Sequence, residues 1–289
     1  MTKIIVDSTC DLPEEILDKY NIEFLPLRIL IKGVEYLDKK TIKIEQVYSA
    51  MKEGIVPRTS QPRPADIYNL FTEYCNKGMD FIYLSFSSAL SGTYEVANGI
   101  AIEFKKKFKE VKIAVIDSKA GSTATGLIAL QAAKLAEAGC DFNIITNEIS
   151  ELVKNVEHIF TIPNLSWLIK GGRISKTKGL IGSILDINPI LDVKDGEMEV
   201  IQKIRGRKKA LNTVVDILEK RIEKFPDQVI GISHADDMGT ANELMEIINK
   251  RMGKHNFIVN KIGSVLGSHI GIGGVGVFFF NDKNKLYID

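Results

Sequence analysis

The first half of the chain carries three short apolar runs, each of which gives way to a turn of small acidic or hydroxyl residues. Ile4-Ile5-Val6 runs into Asp7-Ser8-Thr9-Cys10-Asp11-Leu12, Phe81-Ile82-Tyr83-Leu84 into Phe86-Ser87-Ser88-Ala89-Leu90-Ser91-Gly92-Thr93-Tyr94, and Ile113 to Ile116 into Asp117-Ser118. Amphipathic stretches separate them, a helix-like one from Glu14 to Tyr20 and a long one from about Ser122 to Ala138, with a further apolar run at Ile22 to Leu25. That rhythm predicts a parallel α/β sheet. Ligands of such sheets bind beyond the carboxyl ends of the strands, so the three polar turns are expected to converge on one edge.

The second half reads differently. Ile190 to Val193 and Glu197 to Ile204 flank an Asp195-Gly196 turn, which is hairpin chemistry. A helix is expected near Arg207 to Glu223, a strand at Val229 to Ser233, a helix near Met238 to Met252, and strands at Phe257 to Ile262 and Val275 to Phe280. This is the pattern of an α+β domain with a mixed or antiparallel sheet. At 289 residues the chain is long enough for two cores, because single cores seldom grow past about 250–300 residues. The expected division is residues 1–158 and 159–289, between a helix ending at Val156 and the strand-like Ile159 to Ile162.

A net charge of +1 with 26% charged residues lacks the basic excess of nucleic-acid-binding proteins, so no nucleic acid partner is expected. Lys3-Ile4-Ile5-Val6 meets Asp7 too soon to form the apolar region of a signal peptide, and no apolar run reaches the ~18 residues of a membrane span. Cys10, Cys75 and Cys140 are odd in number and widely spaced, which favours free thiols in a reducing compartment. The expectation is a cytoplasmic protein with no transmembrane segment.

A strand ending in small hydroxyl residues ahead of a helix presents N–H and O–H donors where negative charge is favoured. The turn from Phe86 to Tyr94 therefore reads as an anion-binding corner or as a plain helix cap. It has company in Thr59-Ser60-Gln61-Pro62, Leu168-Ile169-Lys170-Gly171-Gly172-Arg173-Ile174-Ser175, Lys203-Ile204-Arg205-Gly206-Arg207-Lys208-Lys209 and Gly267-Ser268-His269-Ile270-Gly271. In this order and spacing, over essentially the whole chain, the sequence resembles the DegV family, whose characterised members are bacterial fatty-acid-binding proteins.

The resemblance implies a non-enzymatic lipid-binding protein with no cofactor beyond a bound long-chain fatty acid, held between the two domains, the C-terminal one being lipid-binding. It points to Thr59, Ser91 and His269 as the carboxylate contacts, with Ser60, Ser87 and Ser88 as second-line head-group candidates. Ile181, Ile184, Leu185, Ile187, Ile190, Leu266, Val275 and Val277 are material for a tunnel or for ordinary core. The basic residues Lys170, Arg173, Lys176 and Lys178, and then Arg205, Arg207, Lys208 and Lys209, form two clusters. In the fatty acid kinase system that the resemblance implies, the protein presents the acyl carboxylate to a separate ATP-dependent kinase subunit on the way to phospholipid synthesis. Arg173 and Arg205 match motif positions suited to docking that partner or meeting phosphate charge. The family usually has proline where this chain has Ile272, so the loop after His269 departs from its relatives.

Other readings compete. Gly271-Ile272-Gly273-Gly274-Val275-Gly276 fits GxGxxG but leads into a strand instead of opening a helix, so it is rejected as a dinucleotide fingerprint. A serine hydrolase or acyltransferase would use Ser91, His269 and an acid such as Asp7 or Asp117, although Leu-Ser-Gly-Thr is not the GxSxG elbow. The chain has no P-loop or protein-kinase motif set. His158, His234, His255 and His269 show no metal-ligand spacing.

Overall fold

The computed structural model describes residues 2–163, 165–174 and 187–289. The chain opens with β1 (Lys3–Asp7), α1 (Glu14–Lys19), β2 (Glu23–Leu25), β3 (Arg28–Ile31), β4 (Val34–Leu37), α2 (Ile44–Lys52) and β5 (Arg58–Ser60). It continues through α3 (Pro64–Asn76), β6 (Phe81–Ser85), α4 (Thr93–Lys107), β7 (Ile113–Asp117), α5 (Ser122–Glu137) and α6 (Phe142–Asn155). The second half comprises β8 (Val156–Thr161), α7 (Ser166–Gly171), β9 (Ile187–Lys194), β10 (Glu197–Arg205), α8 (Arg207–Arg221), β11 (Ile230–His234), α9 (Met238–Met252), β12 (Phe257–Lys261), α10 (Ser264–Ile270) and β13 (Val275–Phe280).

The fold is two-domain α/β. A four-stranded parallel sheet has the order β2-β1-β6-β7, and a six-stranded mixed sheet the order β10-β9-β8-β13-β11-β12, in which only β11 and β12 run parallel. Strand alternation divides each sheet's side chains between two cores. Ile5, Phe81 and Tyr83 face α3 and α4, while Ile4, Val6, Ile82 and Leu84 face α5. On the six-stranded sheet Val275, Val277 and Phe279 face α8 and α9, whereas Phe278 and Phe280 face α5.

Helix α5 is thus pressed between the two sheets, and nearly all its length is buried. Its sequence, Ser-Thr-Ala-Thr-Gly-Leu-Ile-Ala-Leu-Gln-Ala-Ala, suits that position because small side chains let backbones approach on both sides. A Cβ at Gly126 would stand 2.7 Å from Leu12 Cγ.

The Asp195-Gly196 turn closes the β9–β10 hairpin with φ of 50° and 87°, the left-handed pair that two-residue hairpins need. Gly196 has a second reason to be glycine: a Cβ there would lie 2.4 Å from Ser87 Oγ.

Several details differ from the sequence reading. A three-stranded antiparallel sheet, β4-β3-β5, was not anticipated, since its strands are only three or four residues long. Thr59 belongs to it, paired with Ile29. His269 sits in α10, where Gly267 stands for close packing instead of turning: a Cβ there would meet Tyr48 Oη at 2.4 Å. Gly271 to Gly276 follows that helix and leads into β13, which agrees with rejecting the dinucleotide fingerprint. Ile190 and Val277 pack against the α8 and α9 core and so do not line a tunnel from the opposite face. Lys176, Lys178, Ile181, Ile184 and Leu185 lie outside the described residues. The residue-158 division falls inside β8, and we propose the α6–β8 joint at Asn155–Val156 as the boundary between the domains.

Candidate functional site

The carboxyl ends of β1, β6 and β7 do meet at one edge, but their polar turns mostly bind one another. The buried Asp7 carboxylate accepts from Phe86 N at 2.7 Å and Thr9 N at 3.0 Å, and burial pushes its pKa up against those bonds. Asp117 accepts from Ser88 Oγ at 2.6 Å and Ser88 N at 3.0 Å. Ser87 Oγ donates to Gly196 O at 2.8 Å, which ties the β9–β10 hairpin to the parallel sheet. Ser87 and Ser88 therefore serve the framework, and neither lines the adjoining cavity.

That cavity, about 890 Å³ with its open mouth included, lies between the parallel-sheet edge, β5, α10 and the six-stranded sheet. Thr59, Ser60, Gln61, Ser91, Arg173 and His269 supply polar groups to its wall. Much of the remainder is apolar, with Phe86, Leu90, Phe160, Met198, Leu266 and Phe278 among the lining side chains. A wall of this kind, apolar with a few convergent polar groups, suits an amphipathic small molecule.

Two of the polar groups are joined. Thr59 Oγ1 lies 2.7 Å from His269 Nε2, although 210 residues separate them in sequence. His269 Nδ1 is buried with no hydrogen-bond partner among the described residues. Burial first, and then the positive charge of Arg173, lower the imidazole's pKa to about 4, so the ring is neutral at pH 7. If Nε2–H donates to Thr59, the threonine hydroxyl keeps its own proton for a ligand oxygen. Ser91 Oγ lies 2.8 Å from Thr93 Oγ1, just ahead of α4.

Gly171-Gly172-Arg173 has a mechanical role at each residue. Gly171 lets His269 approach, since a Cβ there would lie 2.1 Å from His269 Nδ1. Gly172 ends α7 in the left-handed region with φ of 68°, a conformation that favours glycine. The turn returns Arg173, half-buried, to the wall, where its Nη1 donates to Gly171 O at 2.6 Å and its Nε reaches Leu90 O at 3.4 Å.

The structure thus brings Thr59, Ser60, Ser91 and His269 to one cavity and adds Arg173, expected from sequence as a docking residue, to the same wall. Arg205 lies apart, exposed at the end of β10. Gln61 was overlooked although it belongs to the quoted Thr-Ser-Gln-Pro motif; its side chain sits where a Cβ on Gly92 would come within 2.5 Å of it. His158 was missed as well, since a lone histidine before an apolar run carries no local signal.

The serine-hydrolase geometry is not assembled. Ser91 is bonded to Thr93 and His269 to Thr59, and among the described residues no carboxylate orients His269 Nδ1. Among the described residues no cluster of His, Cys, Asp or Glu is suited to a metal ion, and no helix is long and apolar enough to cross a membrane.

Comparison with known proteins bears on the cavity. The family model described as "Uncharacterised protein, DegV family" matches residues 1–282. A DegV domain-containing protein of Clostridium perfringens is 36% identical over 285 residues, covering 98% of each chain. One from Clostridium acetobutylicum is 38% identical over 280 residues, covering 96% of this chain and 97% of its own. Among solved structures, a DegV family protein of Thermus thermophilus, described by its fatty acid binding, superposes with a TM-score of 0.88 at 27% identity, over 96% of this chain and 99% of that one. DegV of Bacillus subtilis, described as a fatty acid binding protein, gives 0.85 at 28% identity, over 96% and 99%.

Proposed function

The chain belongs to the DegV family, and on that premise we propose that it is a non-enzymatic carrier of a long-chain fatty acid. The reading rests on the hydrogen-bonded Thr59–His269 pair, Ser91 and Arg173 standing in the wall of an otherwise largely apolar cavity. The carboxylate accepts from the Thr59 and Ser91 hydroxyls, His269 holds the Thr59 hydroxyl in place through its own N–H, and Arg173 supplies the opposing charge. About 15 methylenes at ~0.8 kcal/mol each contribute on the order of 12 kcal/mol before ordering costs, against ~1.5–3 kcal/mol for a hydrogen bond to a charged group. The tail sets affinity and the head group sets orientation.

The finer proposal is that the protein presents this carboxylate to a separate ATP-dependent kinase, which forms the acyl phosphate used in phospholipid synthesis. The exposed Arg205 supports that reading as a docking residue, and Arg173 serves the carboxylate from the cavity wall. The three cysteines are free, which suits a reducing compartment, and we assign the protein to the cytoplasm.

The deciding experiment is mass spectrometry of an organic extract of the purified protein, with calorimetric titration of the delipidated form. A long-chain fatty acid near one-to-one is expected. Absence of lipid together with no binding of added fatty acid would overturn the carrier reading.

A further inference from the structure

His158 is a buried polar group that the carrier reading leaves unused. It lies on β8, is 3% exposed, and neither Nδ1 nor Nε2 has a hydrogen-bond partner among the described residues. The side chain lines the apolar cavity, with its ring edge-on to Phe278 at 5.9 Å between centroids.

Its place along the ladder separates it from the carboxylate cluster. Val275, at the start of β13 and next to the loop from α10, pairs with Thr161, whereas Phe278 pairs with His158, three residues further on. At about 3.3 Å per residue the imidazole stands roughly 10 Å along the sheet from that level. Pairing of β8 with β9 begins only at Ile159, opposite Asp192, so His158 borders a gap between the strands. A polar cleft open to solvent, lined by Lys119, Lys154, Glu157, Lys194 and Arg221, shares His158 and Val193 with the apolar cavity as common wall.

Resting on the fatty-acid reading above, we propose that His158 contacts the ligand's tail and that the site takes fatty acids bearing a hydroxyl group on the distal half of the chain. Burial lowers the His158 pKa to about 3, so the ring is neutral and offers one donor and one acceptor. A hydroxyl offers the same pair in return. A phenyl ring would fill this place beside Phe278 without leaving two nitrogens unbonded, so packing alone does not account for histidine. An unmade hydrogen bond at a buried polar group lowers affinity by roughly 5- to 150-fold, which is large enough to set ligand preference.

The test is calorimetry with delipidated protein, titrating octadecanoic acid against 10-, 12- and 18-hydroxyoctadecanoic acids, in the wild type and in His158→Phe. In the wild type at least one hydroxy acid is expected to bind within about threefold of its parent, and His158→Phe to worsen that hydroxy-to-parent ratio by roughly tenfold. A ratio unchanged by the substitution at every hydroxyl position overturns the proposal while leaving the carrier reading standing. Failure of the parent acid itself to bind overturns both. Should His158→Phe not fold, 15N-histidine NMR of the wild type decides instead. The His158 ring resonances must move with a hydroxy acid beyond their movement with octadecanoic acid, and equal movement overturns the assignment.

Discussion

Replacing Gly171 by alanine tests whether the position of His269 governs head-group binding. The Cβ added there would fall 2.1 Å from His269 Nδ1, 3.0 Å from Cε1 and 3.2 Å from Cγ. Ordinary contact begins near 3.4 Å, so the ring or the α7 end must give way by more than an ångström. The 2.7 Å contact between His269 Nε2 and Thr59 Oγ1 does not survive a shift of that size in the ring. Gly171 lies within α7 and its φ is not left-handed, so alanine introduces no backbone strain of its own. The expected result is a fatty-acid affinity lowered by ~1.5–3 kcal/mol, about 10- to 150-fold, with far-ultraviolet circular dichroism unchanged. The assay is a double-mutant cycle by calorimetry. In a His269→Ala background, Gly171→Ala should cost nearly nothing, because the group it displaces is gone. Wild-type affinity in Gly171→Ala, or an equal loss in both backgrounds, would refute the reasoning.

Ser91→Ala should weaken binding by ~1–3 kcal/mol without loss of thermal stability beyond about 1 kcal/mol, because it removes a donor to a charged acceptor and little volume; calorimetry and melting curves check both. Arg173→Ala should lower fatty-acid affinity through its place in the cavity wall, whereas Arg205→Ala should leave affinity within about twofold and reduce acyl phosphate formation with a cognate kinase and ATP. Wild-type turnover in Arg205→Ala would remove that residue from docking. The stability of His158→Phe relative to wild type should change with pH in a determined direction. The folded pKa of about 3 lies below the unfolded value, so as pH falls below about 6.5 the unfolded wild type gains a proton that the folded form refuses. Wild type should lose ground to His158→Phe by about 1.4 kcal/mol per unit from pH 6.5 downward, read by denaturant unfolding. Asp11, raised to about 6 by burial, acts in the opposite sense but equally in both proteins, so the difference between them is the diagnostic. A difference constant from pH 7 to 4.5 would contradict a buried neutral His158.

Much of the fold was legible because it is written in local order. Apolar runs of three or four residues separated by amphipathic stretches predicted β1, β6 and β7 and their parallel arrangement, and the Asp195-Gly196 pair predicted the hairpin between β9 and β10. The short strands β3, β4 and β5 escaped because three or four residues are too few to show a period. Glycine gave no sign of its role at Gly267, where it marks close packing of α10 against Tyr48.

The sequence by itself determined the strands of the parallel sheet and the β9–β10 hairpin, where the parallel strands end in polar turns, and which hydroxyl and imidazole groups were available. Only the tertiary structure decided which of those groups meet. Ser87 and Ser88 went to the framework, Thr59 and His269 came together across 210 residues, and Arg173 was returned to the cavity by a left-handed glycine. Helix α5 was readable as a helix, but not as the layer between two sheets, because the pattern of one segment fixes its own periodicity and says nothing of what will face it. The far wall at His158 lies still further from local sequence, since an unpartnered imidazole is recognised only once every neighbour that might have bonded to it has been placed.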